Sequence, residues 1–407
     1  MRTAVTKSVQ AALAAAVLLS AAAARADPVA EWNARAAEIA AAERLPAPTA
    51  YRALALIQVA VYETVRRVQG AGAPMLPIDV AAEPGASLEA AVAAANRTVL
   101  LSVAPGRRAE IEAAYQAALT GLEAQARDRG VRLGQAVAER VLAARADDGA
   151  AAPESWRPVT APGVYVPTAT PVASGWGARR PWAPGAAARF RPAAPPSLNS
   201  PAWVRDYQEV QAVGRADSAV RTAEQTQVAR FWETTQPLIY FNVVRSVAER
   251  PGRTPADNAR LYARSAAAMD DALIAVMDAK YAYAFWRPVT AIRNGDLDGS
   301  DATVREAGWR PLVETPMHPE YPCAHCVLAG AVAEVLQAEV GDGRPLDASA
   351  ASPTAPGAPR RWRTGEELTV EVASARIWAG VHYRTSTEIG TTLGRRIGRE
   401  TVERIAK

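Results

Sequence analysis

The sequence predicts an all-α fold with two helical-bundle halves that are joined by an ordered, proline-rich irregular wrap. Apolar residues in Tyr51–Val68 recur at the 3.6-residue spacing of a helix that buries one face. Valine, isoleucine and threonine nowhere form the long two-residue alternation of a half-buried strand. From 150 to 200, proline and glycine recur every few residues, together with Trp156, Trp176 and Trp182. Because their large rings favour burial, we expect this stretch to be ordered rather than a free linker.

The same periodicity predicts further helices in both halves. The N-terminal half, residues 27–149, would add helices at Leu88–Val103, Arg107–Glu123 and Gly130–Ala146. The wrap covers residues 150–200. In the C-terminal half, residues 201–407, helices are predicted at Ala202–Val213, Ala223–Thr235, Leu238–Glu249, Ala256–Trp286, Ala324–Glu339, Gly365–Ala379 and Ser386–Ala406.

Residues 1–26 have the composition of a cleavable signal peptide. Arg2 and Lys7 give a basic start, an apolar stretch follows, and Ala24-Arg25-Ala26 forms a small-residue cleavage site. Since the apolar stretch is short for a membrane span, we favour cleavage and export, to the periplasm or the medium, over an uncleaved anchor. No later stretch reaches the roughly 18 apolar residues of a spanning helix, so we expect no stable membrane insertion after cleavage.

Composition excludes several functional classes. Of the 407 residues, 49% are hydrophobic and 22% charged, as in globular proteins and unlike disordered, collagenous or coiled-coil chains. The formal charge is +4, but loss of Arg2, Lys7 and Arg25 with the leader leaves 43 basic against 42 acidic residues. Because no long basic run is present, nucleic acid is not an expected partner. The oligomeric state stays open.

A scarce lysine marks the first candidate segment. Among 46 basic residues only Lys7, Lys280 and Lys407 are lysines, and Lys280 alone lies in the interior of the predicted mature chain. Arg287 follows seven residues later across a run of aromatic residues, which would place both cations on one helical face. Cations between aromatic walls indicate an anion pocket, and a solvated amphipathic face is the alternative.

The second candidate segment, His318–Cys326, contains both cysteines and two of the three histidines. His325 lies between Cys323 and Cys326, in the first turn of the helix predicted to begin at Ala324. Free N–H groups and the positive dipole end make a helix N-terminus an anion site, and a histidine there can also exchange a proton. A lone histidine is more often structural, so this segment has to be judged with the others.

The third candidate segment joins Arg376 to His382 across Gly380. Residues six apart do not share a helical face, but a break at Gly380 would let both side chains reach one place. A helix C-terminus with a capping side chain is the alternative. Together the three segments supply three cations and two histidines, a set suited to a tetrahedral or trigonal-bipyramidal oxyanion.

In this order, the three segments resemble the superfamily of type-two phosphatidic acid phosphatases and vanadium-dependent haloperoxidases. The family pattern is Lys-x6-Arg-Pro, then Pro-Ser-Gly-His, then Ser-Arg-x5-His-x3-Asp. The corresponding residues here are Lys280-x6-Arg287-Pro288, Pro322-Cys323-Ala324-His325 and Ala375-Arg376-x5-His382. The rest of the chain is similar to the longer, exported bacterial branch related to haloperoxidases, whose two four-helix-bundle halves agree with the predicted organisation.

The resemblance implies a role for each matched residue. The equatorial oxygens of vanadate or phosphate would be bound by the three cations and the second motif, that is by Lys280, Arg287, Arg376, Cys323 and Ala324. His382 would be the axial vanadium ligand or, in a phosphatase, the nucleophile. His325 would be the acid–base residue, and Lys280 would join it in polarising bound peroxide.

Three departures from the family pattern affect these roles. Cys323 replaces a serine, whose hydroxyl donates a stronger hydrogen bond than a thiol does, and Ala324 replaces a glycine. Ser386 replaces the aspartate that would orient the axial histidine, and Glu388 is a candidate substitute for that carboxylate. In an exported protein, the Cys-x-x-Cys pair of Cys323 and Cys326 is also able to form a disulfide.

Three functions are open on these grounds. The favoured one is a vanadium-dependent haloperoxidase-like enzyme, which oxidises halide with hydrogen peroxide at a histidine-bound vanadate. The second is a periplasmic acid phosphatase, which acts on a phosphate ester through a phosphohistidine and holds phosphate instead of vanadate. The third is an oxyanion-binding protein with little turnover, as the departures at Cys323 and Ser386 suggest. All three have small molecules as partners: peroxide and halide, a phosphate ester, or the anion alone.

Overall fold

A computed structural model describes residues 27–405, so the predicted signal peptide lies outside the described residues. Within this range the helices are α1 Pro28–Ala42, α2 Ala47–Gln69, α3 Leu88–Val103, α4 Arg108–Leu119, α5 Ala124–Ala144, α6 Pro201–Val213, α7 Ala223–Phe231, α8 Leu238–Ala248, α9 Pro255–Tyr283, α10 Pro288–Arg293, α11 Ala324–Val340, α12 Gly365–Trp378 and α13 Arg384–Arg404. A small antiparallel sheet, β1 Ala348–Ser352 and β2 Ala355–Trp362, follows α11. The predicted all-α fold class is confirmed. Across residues 27–405, no helix combines the length and apolarity that crossing a bilayer requires.

The longest predicted helix ends earlier than its periodicity indicates. Helix α9 begins after Thr254, which forms a reciprocal capping box with Asp257, and it ends at Tyr283. Ala284 then takes a left-handed conformation, with φ 46°, and Arg287 becomes the N-cap residue of α10. The prediction that Lys280 and Arg287 share one helical face is therefore wrong, because the chain turns between them.

Helix α9 forms the centre of a core that both halves share. It packs against α2 from the N-terminal half and against α11 from the C-terminal half. A single cluster of buried side chains accordingly includes Leu56 of α2, Met269 of α9 and Val327 of α11. The two helical-bundle halves thus meet along one helix, while the boundaries predicted at residues 149 and 200 stay a prediction.

The wrap is irregular but firmly attached. Its only helical pieces are the short 3₁₀ turns Trp176–Ala178 and Ala187–Phe190. Arg179, which is fully buried, donates to Asp270 of α9 at 2.8 Å and to Asp148 at 2.8 Å. The backbone N–H groups of Trp182 and Ala183 donate to Asp271, at 2.7 and 2.8 Å. The predicted ordered wrap is confirmed, with Trp182 buried and both Trp156 and Trp176 half-buried.

Glycines bring α13 against the start of α11. Gly390, Gly394 and Gly398 recur one turn apart on α13 and face α11. A Cβ at Gly390 would lie 2.7 Å from the carbonyl oxygen of Cys323, closer than van der Waals contact allows. The lack of side chains therefore lets the two backbones touch, which fixes where the N-terminus of α11 lies.

Candidate functional site

A cavity of about 490 Å³ opens where the two halves and the wrap meet. Much of its lining is apolar and includes Pro46, Pro48, Tyr51, Val172, Leu273, Met277, Met317 and Leu328. The lining also contains residues from the second and third predicted segments, namely Ala324, His325, Arg376 and His382, together with His318. The structure therefore brings these segments together at one cavity, to which the N-terminal half also contributes.

Lys280 and Arg287 lie buried beside this cavity and hold the segments that line it. The Nζ of Lys280 donates to the carbonyl oxygens of Pro319, at 2.8 Å, and Glu320, at 2.7 Å. The Nη1 of Arg287 donates to the carbonyl oxygen of Val381 at 2.8 Å. Burial lowers the pKa of Lys280 well below its usual value and that of Arg287 to about 10. The two cations thus converge because the chain turns at Ala284, although they do not share a helical face.

The N-terminus of α11 presents the second motif. Cys323 is the N-cap residue, and its Sγ accepts a hydrogen bond from the backbone N–H of Cys326 at 3.3 Å. Both thiols are free and fully buried, so the structure does not contain the disulfide that the spacing allowed. Ala324 and His325 follow in the first turn and line the cavity. Because the N–H group of Cys323 donates to the carbonyl oxygen of Ser386 and that of Cys326 to Sγ of Cys323, an anion there would meet the N–H groups of Ala324 and His325.

His325 is a neutral base with a defined tautomer. Its Nε2 lies 3.0 Å from the carbonyl oxygen of Thr234. Because a carbonyl oxygen can only accept, Nε2 carries the proton and Nδ1 keeps the lone pair. Burial, and then the positive charge of Arg376, lower the pKa of His325 well below its usual value.

Arg376 and His382 come together across the break at Gly380. Helix α12 ends at Trp378, and Gly380 takes a left-handed conformation, with φ 78°, against the backbone of Gly214. The Nη1 of Arg376 donates to the carbonyl oxygen of Trp232 at 2.5 Å, whereas its buried Nε has no partner among the described residues. An arginine with an unused buried donor is suited to bind an anion from the cavity.

His382 is bonded at both ring nitrogens. Its Nε2 lies 3.2 Å from Nη1 of Arg287, and its Nδ1 lies 2.6 Å from Oε1 of Glu320. Burial, followed by the charge of Arg287, lowers the pKa of His382 well below its usual value, so the ring is neutral. The side chain is fully buried apart from its face on the cavity.

Sequence reasoning missed Glu320 and named Glu388 instead. Glu388 is exposed on α13 and cannot reach the buried His382, so that suggestion is wrong. Glu320 is fully buried, and burial raises its pKa to about 7 against the lowering effect of Lys280 and Arg287. It is the one acidic residue between His318 and Cys326. The sequence did contain one sign of its importance: Glu320 lies between Pro319 and Pro322, next to the motif that contains His325.

The arrangement fits an oxyanion such as vanadate or phosphate. Among residues 27–405, none of Lys280, Arg287 and Arg376 forms an ion pair with a carboxylate, although all three are buried. Lysine has three N–H donors and arginine five, so each cation keeps donors beyond those bonded to protein atoms. Unpaired buried cations are costly, and an anion in the cavity would relieve that cost.

The C-terminal part of the chain matches a known family. Residues 260–407 match the model of the VCPO second helical-bundle domain. No curated protein sequence matches the chain.

Solved structures agree over most of the chain. The crystal structure of the first bacterial vanadium-dependent iodoperoxidase is similar with a TM-score of 0.81 and 23% identity, over 93% of this chain and 96% of that one. The holo-type bacterial vanadium-dependent chloroperoxidase gives a TM-score of 0.75 and 17% identity, over 88% of this chain and 92% of that one. Its apo-type structure gives the same TM-score and identity, 0.75 and 17%. At these identities the likeness shows the fold, which agrees with the predicted one. The family match covers residues 260–407, the part of the chain that contains the three motifs.

Proposed function

We propose that the protein is a vanadium-dependent haloperoxidase-like enzyme, which oxidises a halide with hydrogen peroxide at a vanadate bound to His382. The observation that carries the proposal is a cavity lined by Arg376 and His382, with two further buried cations behind its lining. Arg287 contacts the His382 ring and Lys280 donates to the carbonyl oxygens of residues 319 and 320, and none of the three cations is paired with a carboxylate among residues 27–405. The likeness to the iodoperoxidase covers 93% of the chain, so it includes the N-terminal half that lines the cavity. This supports peroxidase chemistry over that of compact phosphatases.

The residues present fit vanadate. The anion would be held by Lys280, Arg287 and Arg376, by the backbone N–H group of Ala324 and by His382, whereas the N–H group of Cys323 already donates to the carbonyl oxygen of Ser386 at 3.2 Å. Vanadate, when bound, supplies a Lewis-acidic centre that activates hydrogen peroxide toward a halide. Fixed N–H donors in a buried site stabilise negative charge more strongly than water does, because they need no reorganisation.

His325 is the residue placed to move protons. Its Nδ1 has the lone pair and its ring lines the cavity, so it can accept a proton from hydrogen peroxide at that atom. The hydrogen bond from Nε2 to Thr234 keeps the ring in place and stabilises the charge that forms. The apolar residues that line the cavity, including Leu273 and Met277, limit the water that competes with substrate.

The decisive experiment measures halide oxidation by the chain from residue 27, with hydrogen peroxide, in the presence and absence of orthovanadate. Iodide is tested first, because it is the most easily oxidised, followed by bromide and chloride. We expect oxidation that depends on vanadate and is lost in His382→Ala. Glu388→Ala, which changes an exposed side chain on the neighbouring helix, serves as the control and should retain activity.

Other outcomes would contradict the proposal. A folded protein that oxidises no halide but hydrolyses a phosphomonoester without metal would be an acid phosphatase with His382 as nucleophile. A folded protein that binds orthovanadate but has neither activity would be an oxyanion-binding protein.

A further inference from the structure

We propose that Glu320 is the positioning residue for His382, and that it replaces the aspartate which the family motif puts at position 386. The inference rests on the proposed function in one respect, since it takes His382 as the residue that bonds the central atom of the oxyanion. The residue that orients His382 would then lie in the second candidate segment, whereas the family pattern puts it in the third.

The contacts of Glu320 fix the ring and the chain that carries it. Oε1 lies 2.6 Å from Nδ1 of His382 and accepts the backbone N–H of Tyr383 at 3.1 Å. One carboxylate oxygen therefore holds both the imidazole and the next peptide. Rotation of the ring would break the hydrogen bond at Nδ1, while the bond from Tyr383 keeps the carboxylate next to the backbone that carries the ring.

The contact on the other side of the ring defines the tautomer. A guanidinium can only donate, so Nε2 of His382 accepts from Nη1 of Arg287 and carries no proton. In a neutral imidazole the proton is then on Nδ1, which donates to Glu320. In this tautomer the Nε2 lone pair, which accepts from Arg287 in the anion-free protein, is the one that an incoming central atom would take over.

The position of Glu320 is itself fixed by the oxyanion site. Its backbone N–H donates to the carbonyl oxygen of Phe285 at 2.9 Å, and its carbonyl oxygen accepts from Nζ of Lys280 at 2.7 Å. The side chain of Glu320 is fully buried. Ser386, the third residue of α13, is also buried and lies beside Glu320. An aspartate at 386 would place a second carboxylate against the first, which agrees with a serine there.

A different role would be charge compensation for Lys280 and Arg287, and the two roles predict opposite signs. If Glu320 only offsets positive charge, its neutralisation should tighten every anion, because a repulsive charge is removed. If Glu320 positions His382, its neutralisation should weaken an anion that bonds to the imidazole and spare one that does not. Orthovanadate is an anion of the first kind and sulfate of the second.

The test compares orthovanadate and sulfate binding to Glu320→Gln and the wild-type protein by calorimetry, with no peroxide or halide present. Partners that orient a metal-bound histidine typically contribute about 10–100-fold to affinity. We expect Glu320→Gln to bind orthovanadate about 10–100-fold more weakly, with sulfate binding unchanged or tighter. Glu388→Gln, an exposed carboxylate on α13, is the matched control and should change neither. Equal affinity of Glu320→Gln and wild type for orthovanadate, or equal weakening of both anions, overturns the proposal.

Two further measurements separate positioning from a structural role. The double variant Glu320→Gln with Ser386→Asp returns a carboxylate to the family position and should regain most of the orthovanadate affinity, whereas no recovery counts against the proposal.

In ¹⁵N-histidine spectra of the anion-free wild-type protein, His382 should carry its proton on Nδ1, and a proton on Nε2 overturns the proposal. Should Glu320→Gln fail to fold, Glu320→Asp keeps the charge but shortens the reach; weaker orthovanadate binding is then expected, and unchanged binding refutes the assignment. Because none of these readouts needs turnover, a protein without halide oxidation would refute the proposed function and leave this test intact.

Discussion

Two buried clusters of arginine have opposite charge balance in this molecule. The anchor centre, which consists of Arg179 with Asp148 and Asp270, pairs its guanidinium with two carboxylates at 2.8 Å. The oxyanion floor, which consists of Lys280, Arg287 and Arg376, has no carboxylate ion pair within residues 27–405. In the first, two carboxylates balance the charge of the cation; in the second, no carboxylate of the described residues does so.

The carboxylates reflect the same contrast. Burial alone would raise the pKa of Asp148, but hydrogen bonds from Arg52 and Arg179 hold it at about 2. Glu320, next to the oxyanion floor, has instead a pKa raised by burial to about 7. A buried cation with its own carboxylates attaches parts of the fold to each other, whereas one without them indicates a binding site.

Breaking the anchor centre should have the largest effect on stability. Arg179→Met leaves Asp148 and Asp270 buried without their shared partner and removes one of the contacts that attach the wrap to α9. Removing one member of a buried ion pair typically costs about 3–5 kcal/mol. We expect a loss of that size in the free energy of unfolding, measured by urea denaturation. A loss below about 1 kcal/mol would show that the wrap is held mainly by its apolar contacts.

The matching change in the oxyanion floor should affect binding instead of stability. Arg376→Met loses the hydrogen bond to the carbonyl oxygen of Trp232 but also removes a buried charge that has no carboxylate partner. Because these two effects oppose each other, the free energy of unfolding should stay within about 1 kcal/mol of the wild type. Hydrogen bonds to charged groups contribute about 1.5–3 kcal/mol, so orthovanadate affinity should fall roughly 10–150-fold. Denaturation and calorimetry on the same preparation measure both. A large loss of stability with intact binding would remove the distinction between the two clusters.

The fold was largely predictable because helical periodicity in this chain is strong. Helix α3, Leu88–Val103, has the predicted bounds, since Ser87 caps its first turn and the apolar stripe is continuous. Helix α9 was predicted to reach Trp286 because aromatic residues continue the pattern past the true end at Tyr283. Periodicity describes which side chains face the core, but the left-handed turn at Ala284 depends on contacts with other parts of the chain.

The candidate site was predictable where motifs carry it and not where packing does. Arg376 and His382 lie at one cavity as the spacing around Gly380 suggested, while their roles stay predictions. Glu320 was missed because motif comparison directs attention to position 386, and nothing in the sequence shows that a carboxylate 62 residues upstream of His382 meets its ring. Such a contact follows from the packing of α13 on α11, which no local pattern encodes.

Acid should reveal the buried, neutral His325. Its pKa is lowered in the folded protein by burial and by Arg376, so below about 6.5 the unfolded chain binds a proton that the folded chain does not. Stability is therefore lost as the pH falls, by about 1.4 kcal/mol per pH unit for one group. His325→Gln can still donate to Thr234 but does not titrate, so the difference between the two proteins isolates this residue. We expect that difference in the free energy of unfolding to change in favour of the variant from pH 6.5 to 5, and a constant difference would contradict a buried neutral ring.

The smallest expected effect concerns Cys323, where the family has serine. Its Sγ accepts the N–H of Cys326 at 3.3 Å, and serine would cap α11 better and add a stronger donor next to the oxyanion floor. One neutral hydrogen bond contributes about 0.5–1.5 kcal/mol, so Cys323→Ser should bind orthovanadate roughly 2–10-fold more tightly. Cys326→Ala keeps the backbone N–H and is the matched control, with unchanged affinity expected. The wild-type protein, unfolded without reductant, should also show both thiols to a thiol reagent, since both are free. Weaker binding by Cys323→Ser would mean that the thiol itself takes part in the site, and the oxyanion floor would then include a sulfur atom that the family pattern lacks.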